Sequence, residues 1–407
     1  MNPDALRHYR QDGFPDLGIR MARGEGHVLY DDAGRAYLDF CAGFGAVSCG
    51  HGHPHVLGRV EAQLRTLVPT MYFRNALIAE CVSELDARLP RELHTLALYS
   101  TGAEAIEQAL RLARAMTGRR RFLSFLGHFH GKTHGSMFLL KQYPPVYGPR
   151  PDGYATTLAF GAPEQGDFDI AAFEAALEAE ACGGELAGVV CEAAIGYSGP
   201  YALPEAFLPA LRRFCDRHGA MLIVDEIFSS FLRCGEWFLS GREGCRPDLL
   251  CFGKGLGNGF PVAAVAGTAA AAEKLRDTAP GSTFAGNLAA CAAALGVAEV
   301  LGSTPGLAGH VAACERLFFE KVEAAFPGGA RGVVPGGKGL LLGVRLDQTP
   351  DEVMAHFRAT LDAGVLASYN PRGLRLSPPL LMPREVFAQG VDTLLRVLDA
   401  GLPRASS

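Results

Sequence analysis

A lysine lies in an unusual setting directly after one of the apolar stretches of the chain. Lys254, one of only six lysines, follows residues 249–252 and sits among four alternate glycines in the run 253–259. Glycine lets such a backbone bend sharply, so the amine can reach a ligand above a strand end. Desolvation lowers the pKa of an amine and suits it to form a Schiff base. The alternative is a solvated lysine in a flexible surface loop.

Two other apolar stretches also end in residues that could do chemistry. Asp225 directly follows residues 221–224, and a carboxylate buried there needs a cation or several hydrogen-bond donors. Small residues at 100–103 precede a helical pattern, and such a turn exposes N–H groups that can hold a phosphate. Each feature also has a structural interpretation, because Asp225 can cap the next turn and Ser100 or Thr101 can be an ordinary helix N-cap.

Taken together, the three strand ends indicate one cofactor. Ligands of an open α/β sheet bind beyond the carboxyl ends of its strands, so one edge can bring the three features together. A Schiff-base lysine, a carboxylate for a ring cation and a phosphate turn are the three anchors of pyridoxal 5′-phosphate (PLP). No other common cofactor needs all three.

The elements that position these residues follow from the apolar pattern. Between about 50 and 300, short apolar runs alternate with helical stretches, which predicts an α/β fold with a mostly parallel central sheet and helices on both faces. Strands are predicted at 96–99, 122–125, 188–191, 221–224, 249–252 and 262–266, and helices at 104–116 and 203–217. The turn 31–34 predicts a hairpin over 26–40.

The last hundred residues have a different pattern and predict a smaller α+β domain. Helices are predicted near 308–325, 350–363 and 384–399, with short strands at 340–344 and 374–376. We therefore divide the chain into an N-terminal segment and hairpin associated with the small domain (1–48), a large PLP-binding domain (49–304) and a small C-terminal domain (305–407).

Charge and cysteine usage restrict the partners and the compartment. The 38 basic and 43 acidic residues give a net charge of −5, which argues against nucleic acid or an anionic membrane as a partner. Eleven scattered cysteines without a C-x-x-C pair predict reduced thiols rather than a secreted disulfide framework. Residues 1–18 lack the apolar core of a signal peptide, and the apolar stretch 260–272 is shorter than the roughly 20 residues of a membrane span. We expect a soluble, cytoplasmic protein.

Two groups of histidines, at 51–55 and 128–134, raise the question of a metal site. The first group contains glycine and proline, which favour turns over a rigid ligand scaffold, and no cysteine or acidic pair completes it. We expect no metal.

Eight segments, by their order and spacing, carry a family resemblance. They are 29–40, 50–54, 100–107, 129–131, 224–227, 252–255, 282–287 and 375–380. Over almost its entire length the chain resembles the class III (ω-amino acid type) aminotransferases, which are PLP-dependent enzymes of fold type I, with glutamate-1-semialdehyde aminomutase among their relatives. The resemblance implies a homodimer with active sites at the subunit interface.

The resemblance also implies roles for individual residues. Lys254 forms the Schiff base and moves the proton, Asp225 keeps the pyridine nitrogen protonated, and Phe129 stacks on the ring. The remaining cofactor contacts are Thr101, Gly102, Ala103, His130, Glu192, Ile227 and, from the partner subunit, Thr283. The substrate contacts are Arg375, which receives a carboxylate, and Lys132 and Tyr197.

Several positions depart from the family pattern. Ala103 stands where many relatives have threonine, so backbone donors must hold the phosphate. Tyr197 stands where the ornithine and 4-aminobutyrate enzymes carry a glutamate that pairs with the carboxylate-binding arginine, and Phe228 replaces a glutamine that reaches the ring hydroxyl. Lys132 stands where the acetylornithine and ornithine types have arginine. These changes argue against ornithine or 4-aminobutyrate as the substrate.

The resulting hypothesis is an aminotransferase that moves an amino group from an amino acid donor to an aldehyde or ketone through pyridoxamine phosphate. Three alternatives stay open: an intramolecular aminomutase of the glutamate-1-semialdehyde type, a PLP-dependent decarboxylase or epimerase, and a catalytically silent scaffold. Retention of Lys254, Asp225 and Phe129 argues against the scaffold. No strand is followed by G-x-G-x-x-G, which argues against a nicotinamide-dependent oxidoreductase.

Overall fold

A computed structural model describes residues 17–68, 73–141, 148–159, 168–181, 185–278 and 282–402. Within these residues, a seven-stranded sheet forms the centre of the molecule. Its strands, in order across the sheet, are His94–Tyr99, Ala263–Gly267, Leu249–Phe252, Met221–Glu226, Leu186–Glu192, Arg121–Phe125 and Ala155–Leu158. The first two pairs are antiparallel and the other four are parallel. The predicted mostly parallel sheet is therefore confirmed.

The strand Ala263–Gly267 is the exception, because it runs antiparallel to both of its neighbours. Only residues 253–262 connect it to the strand Leu249–Phe252. A parallel crossover needs a dozen or more residues, usually including a helix. The chain therefore turns back at once, and Lys254 lies in this short return.

Eleven helices of the described chain pack on the central sheet or on one another. They are Pro54–Leu64, Ala76–Asp86, Gly102–Thr117, His134–Met137, Ile170–Ala181, Phe207–His218, Ala269–Thr278, Leu288–Ser303, Leu307–Ala325, Pro350–Asp362 and Arg384–Gly401. The helix predicted from residue 203 begins later, at Phe207. This start places Pro209 in the first turn, where its missing N–H costs nothing, whereas a start at 203 would bury that proline inside the helix.

The helix Leu288–Ser303 is almost entirely apolar and is buried along most of its length. It packs against the helices Pro54–Leu64 and Ala76–Asp86. In the described part of the chain, no single helix has the length and apolar character to cross a bilayer. Leu288–Ser303 and Leu307–Ala325 reach that length and composition only as a pair, and they are bent by 79°.

Smaller sheets contain residues from both ends of the chain. Among the described residues, one has the strand order Met21–Glu25, Val28–Asp31, Ala36–Asp39 and Val365–Leu366, and another has the order Val333–Lys338, Leu341–Leu346, Gly373–Leu376 and Ser368–Asn370. A short ribbon pairs Ala194–Ile195 with Tyr201–Ala202. The predicted hairpin and C-terminal elements are confirmed, while the domain boundaries at 48 and 304 stay a prediction.

A buried carboxylate organises the loop that follows the strand Met221–Glu226. Glu226 is fully buried, and its two oxygens accept hydrogen bonds from the backbone N–H groups of Leu239 and Ser240 and from the hydroxyls of Ser229 and Ser240 at 2.7–3.0 Å. Four donors compensate the loss of water around this group. The loop that carries Phe228 is fixed in this way.

We predict that Glu226→Gln lowers the free energy of unfolding by about 1–3 kcal/mol, because the amide nitrogen cannot accept and leaves buried donors unpaired. The matched control is Glu236→Gln. Glu236 pairs with Arg242 at the surface, so its loss costs less than about 1 kcal/mol. Urea unfolding followed by circular dichroism measures both variants, and equal losses would contradict the role of Glu226.

Candidate active site

Lys254 begins a short 3-10 turn, Lys254–Gly257, directly after the strand Leu249–Phe252. Its backbone has a φ of 45°, and its Nζ lies 3.8 Å from the centre of the Phe228 ring. Burial, helped by the positive charge of Arg375, lowers the pKa of Lys254 to about 8, although Asp225 and Glu192 act in the opposite direction. A substantial fraction of the amine is therefore neutral near physiological pH.

Asp225 lies at the end of the neighbouring strand and is only 5% exposed. Its Oδ1 accepts a hydrogen bond from the N–H of Ile227 at 3.0 Å, and its Oδ2 lies 2.8 Å from Nδ1 of His130. A carboxylate only accepts hydrogen bonds, so Nδ1 of His130 is the donor. The other ring nitrogen, Nε2, is buried and has no hydrogen-bond partner among the described residues.

Glu192 ends the next strand across the sheet and is also buried. Burial and the charge of Asp225 raise the pKa of Glu192 to about 8, so the carboxyl is mainly protonated at neutral pH. Its Oε2 accepts a hydrogen bond from the N–H of Phe129 at 2.9 Å, and its own N–H donates to Nδ1 of His128 at 2.8 Å. Glu192 thereby fixes the backbone that carries the Phe129 ring.

The turn before the helix Gly102–Thr117 serves as both a cap and an open donor site. The hydroxyl of Thr101 accepts from the N–H of Glu104 at 3.2 Å, and the N–H of Thr101 donates to the Glu104 carboxylate at 2.9 Å. The N-cap interpretation of Thr101 is therefore confirmed. The N–H groups of Gly102 and Ala103 have no intrahelical acceptor and can meet an anion.

Close packing behind this turn explains the glycine. A Cβ on Gly102 would lie 2.6 Å from Cδ1 of Ile227, so a larger residue there would force the Ile227 side chain to move. Gly131 is equally constrained, since its Cβ would lie 2.9 Å from the Cβ of Ala103 and 2.8 Å from Oγ of Ser136. These contacts hold the helix end beside Asp225.

Arg375 lies in the strand Gly373–Leu376 and is 5% exposed. Its NH1 donates to the carbonyl of Gly196 at 2.8 Å, while its Nε is buried and has no hydrogen-bond partner among the described residues. Burial lowers the pKa of Arg375, yet a guanidinium keeps its charge in proteins. Within the described chain, no carboxylate forms an ion pair with it.

Three other predicted residues lie toward the surface. The ring of Tyr197 is 52% exposed and stacks on Phe129, with ring centres 4.3 Å apart and planes inclined by 19°. Lys132 and Thr283 are both exposed. The structure thus brings Lys254, Asp225, Glu192 and Arg375 together, whereas Tyr197, Lys132 and Thr283 are exposed.

Sequence reasoning missed Phe44 and treated Phe228 only as a departure from the family. The Cζ atom of Arg375 lies 5.1 Å from the ring centre of each phenylalanine. The signal for Phe44 was the run 42–45, in which glycines flank an aromatic residue after the hairpin. Nothing in that run indicates which distant side chain the ring meets.

The arrangement fits PLP on three counts. Lys254 offers an amine of lowered pKa, Asp225 a buried carboxylate for a ring cation, and Gly102 and Ala103 a pair of N–H donors for a phosphate. No cluster of three metal-ligating side chains occurs within the described residues. Two of the histidines, His51 and His130, meet Asp39 and Asp225.

We predict that the rate at which PLP-free protein captures PLP rises as pH increases through about 8. Only the neutral amine of Lys254 has a lone pair that can bond to a carbonyl carbon. Arg375→Gln removes a charge that lowers the pKa of Lys254, so the midpoint of the capture-rate profile of this variant moves to higher pH. Stopped-flow absorbance measures both profiles, with Lys254→Ala as the blank. A flat profile through pH 8 would refute the assignment of Lys254.

Comparisons with known proteins identify the family. The family model Aminotransferase class-III matches residues 10–398. Acetylornithine aminotransferase from Archaeoglobus fulgidus is 32% identical over 388 residues, covering 93% of this chain and 95% of that protein. The 4-aminobutyrate aminotransferase GabT of Escherichia coli is 37% identical over 290 residues, covering 68% of this chain and 67% of that protein.

A comparison with solved structures leads to the same family. The ornithine aminotransferase from Toxoplasma gondii, which has PLP at partial occupancy in its active site, superposes with a TM-score of 0.85 at 25% identity, covering 97% of this chain and 93% of that chain. The proteins named here are all aminotransferases, which supports transamination over the aminomutase, decarboxylase or epimerase, and silent-scaffold alternatives. This chain therefore belongs to the class III aminotransferases and is a PLP-dependent transaminase of fold type I.

Proposed function

We propose that this transaminase takes substrates that carry a carboxylate, and that Arg375 receives it. The observation that carries the proposal is a buried guanidinium without an acidic partner in the described chain. Arg375 and Lys254 both lie against the ring of Phe228, so a carboxylate on Arg375 holds the rest of the substrate close to the amine. The planar fork of arginine suits two parallel hydrogen bonds to a carboxylate.

The cofactor contacts follow from the site residues. Asp225 would meet the pyridine nitrogen, Phe129 the ring, and Gly102 and Ala103 the phosphate. The other cofactor contacts in this proposal are Thr101, His130, Glu192, Ile227 and Thr283 of the partner subunit. When bound, PLP supplies an electron sink for the carbon that loses its proton.

Lys254 does the proton chemistry in this proposal. When Nζ is not bound to the cofactor, it accepts the proton from the amine-bearing carbon of the substrate. The resulting ammonium group holds this proton and gives it back later in the same half-reaction. A pKa of about 8 suits this exchange, since an acid–base group works best when its pKa lies near the working pH. The carboxylate of Asp225, fixed by His130, stabilises positive charge at the ring nitrogen.

The donor that we propose is an amino acid with its amino group at the far end from the carboxylate. The related proteins include aminotransferases named for acetylornithine, 4-aminobutyrate and 5-aminovalerate. Tyr197 supports a preference of this chain's own, because an exposed aromatic ring beside Phe129 offers apolar contact to the substrate chain. Lys132, which is exposed, would be a further substrate contact in this proposal.

We also propose a homodimer whose active sites lie at the subunit interface. Four large apolar side chains near Thr283 and the end of the helix Pro54–Leu64 support it, because all are strongly exposed: Leu64, Leu67, Phe73 and Phe284. The two segments are joined where the N–H of Leu288 donates to the carbonyl of Val68 at 2.9 Å.

A cytoplasmic location is supported by ten described cysteines that are all free and buried, as in a reducing compartment.

The carboxylate role is tested with two donors that differ only in that group, 5-aminopentanoate and pentylamine, each with 2-oxoglutarate as the acceptor. We predict that Arg375→Gln lowers the ratio of kcat/KM for 5-aminopentanoate to kcat/KM for pentylamine by at least about tenfold. The reason is that a charge-assisted hydrogen-bond pair contributes about 1.5–3 kcal/mol. Arg372→Gln, at an exposed neighbouring position, is the control. An unchanged ratio in Arg375→Gln would refute the proposal, and turnover without any oxo acid would indicate an aminomutase.

The shared site is tested by mixing two inactive variants. Lys254→Ala lacks the amine, and Thr283→Asp places a negative charge where the phosphate would lie. In a dimer of the two variants, one site has both native residues, so we predict that activity appears on mixing. The control is a chain that carries both changes, which should stay inactive when it is mixed with either single variant. A mixture that stays inactive while mass measurements show mixed dimers would contradict the contribution of Thr283 across the interface.

A further inference from the structure

The surroundings of Arg375 are unusual for a buried cation. Its guanidinium donates to the carbonyl of Gly196, and the rings of Phe44 and Phe228 both lie 5.1 Å from Cζ. We call Phe44 and Phe228 the aromatic pair. A guanidinium within about 6 Å of a ring centre is attracted by the electron-rich face. The aromatic pair therefore stabilises the charge of Arg375 without occupying its N–H groups.

Phe228 is held tightly by two glycines. A Cβ on Gly196 would lie 2.5 Å from Cδ1 of the ring, and a Cβ on Gly45 would collide with its Cε2. The ring therefore fits only because both positions lack a side chain. The same ring lies 3.8 Å from Nζ of Lys254, so one aromatic group contacts the catalytic amine and the carboxylate-binding arginine.

Phe44 is held by a strained turn. Residues 42–45 all have positive φ values of 45°, 59°, 59° and 77°, although two of them, Ala42 and Phe44, are not glycine. A left-handed residue with a Cβ costs about 1–2 kcal/mol, so other contacts must maintain this turn. Such strain persists only where the surrounding structure over-determines it.

Hydrogen bonds from a buried carboxylate supply that support. Oδ1 of Asp39 accepts from the N–H groups of Cys41 and Ala42 at 2.9 and 2.7 Å, and Oδ2 lies 2.7 Å from Nε2 of His51. The sulfur of Cys41 accepts from the N–H of Phe44 at 3.4 Å. Several groups thus act together to place one phenylalanine ring against Arg375.

We propose that the aromatic pair determines substrate specificity by stabilising the cation of Arg375 while leaving it unmasked for a carboxylate in both half-reactions. The proposal rests on the proposed function of Arg375. An acidic partner would have to be displaced by each incoming carboxylate and could mask the charge for other substrates. Aromatic faces leave the N–H edge open, so an amine without a carboxylate meets a buried cation that it cannot compensate. The substrate class is therefore carboxylate-bearing donors and acceptors, with neutral amines rejected.

The test uses the holoenzyme and the same two donors, 5-aminopentanoate and pentylamine. Phe44→Leu and Phe228→Leu keep apolar volume and remove the aromatic face, and we expect each to lower the kcat/KM ratio by between about 2- and 30-fold, the range of one cation–π contact. Gly196→Ala should act in the same direction by displacing the Phe228 ring. Phe319→Leu, in the distant helix Leu307–Ala325, is the matched control and should leave the ratio unchanged.

Coupling to Arg375 separates this role from general packing. In an Arg375→Gln background, we expect the leucine changes to have no further effect on the ratio, as in a double-mutant cycle between contacting groups. Fluorinated phenylalanines at position 44 keep the ring volume and weaken its negative face, so the ratio should fall stepwise with each added fluorine. If a leucine variant fails to fold, this series still tests the contribution of the aromatic face at position 44.

The outcomes distinguish the two proposals. If Arg375→Gln lowers the ratio but the leucine and fluorine variants do not, the aromatic pair is rejected and the carboxylate role of Arg375 stands. If Arg375→Gln leaves the ratio unchanged, the proposed function itself fails. Equal losses from the leucine changes with and without Arg375 would show a packing effect and would also overturn the specificity role.

Discussion

The catalytic edge of the sheet depends on four ionisable side chains that lie close together, three of them buried and the fourth, Lys254, half-buried. Lys254, Asp225, Glu192 and Arg375 influence one another strongly because little solvent separates them. The pKa values of Lys254 and Glu192 both move to about 8, from opposite directions. At neutral pH Lys254 and Arg375 are then mainly positive, whereas Glu192 is mainly protonated. An excess of positive charge in a buried site favours ligands that carry phosphate and carboxylate groups.

Glycines at a few positions make this concentration of groups possible. Gly102 lets Ile227 pack against the helix that offers its N–H groups, and Gly196 lets Phe228 lie beneath Lys254 and Arg375. In each case the nearest side-chain atom would lie within about 2.6 Å of an added Cβ. The site is therefore specified as much by positions without side chains as by its charged residues.

The sheet and the central residues could be predicted from the sequence because they follow local rules. Apolar runs locate the strands, and the carboxyl ends of parallel strands meet at one edge, which brings Asp225 and Glu192 together. The return at 253–262 and the late start of the helix at Phe207 depend on loop length and on Pro209, which the pattern of apolar residues does not include. Phe44 could not be placed, because its left-handed turn is maintained by Asp39 and His51 through contacts that no local rule contains.

The pairing of Ala36–Asp39 with Val365–Leu366 has a consequence for the order of folding. Asp39 lies at the end of a strand that has one neighbour in the preceding hairpin and another that is synthesised more than three hundred residues later. Contacts of such long sequence separation form late, because the chain between them must first lose much of its freedom. The ring of Phe44 and the guanidinium of Arg375 therefore meet only when nearly the whole chain has left the ribosome. A chain that stops before residue 365 contains all seven strands of the central sheet but lacks Arg375.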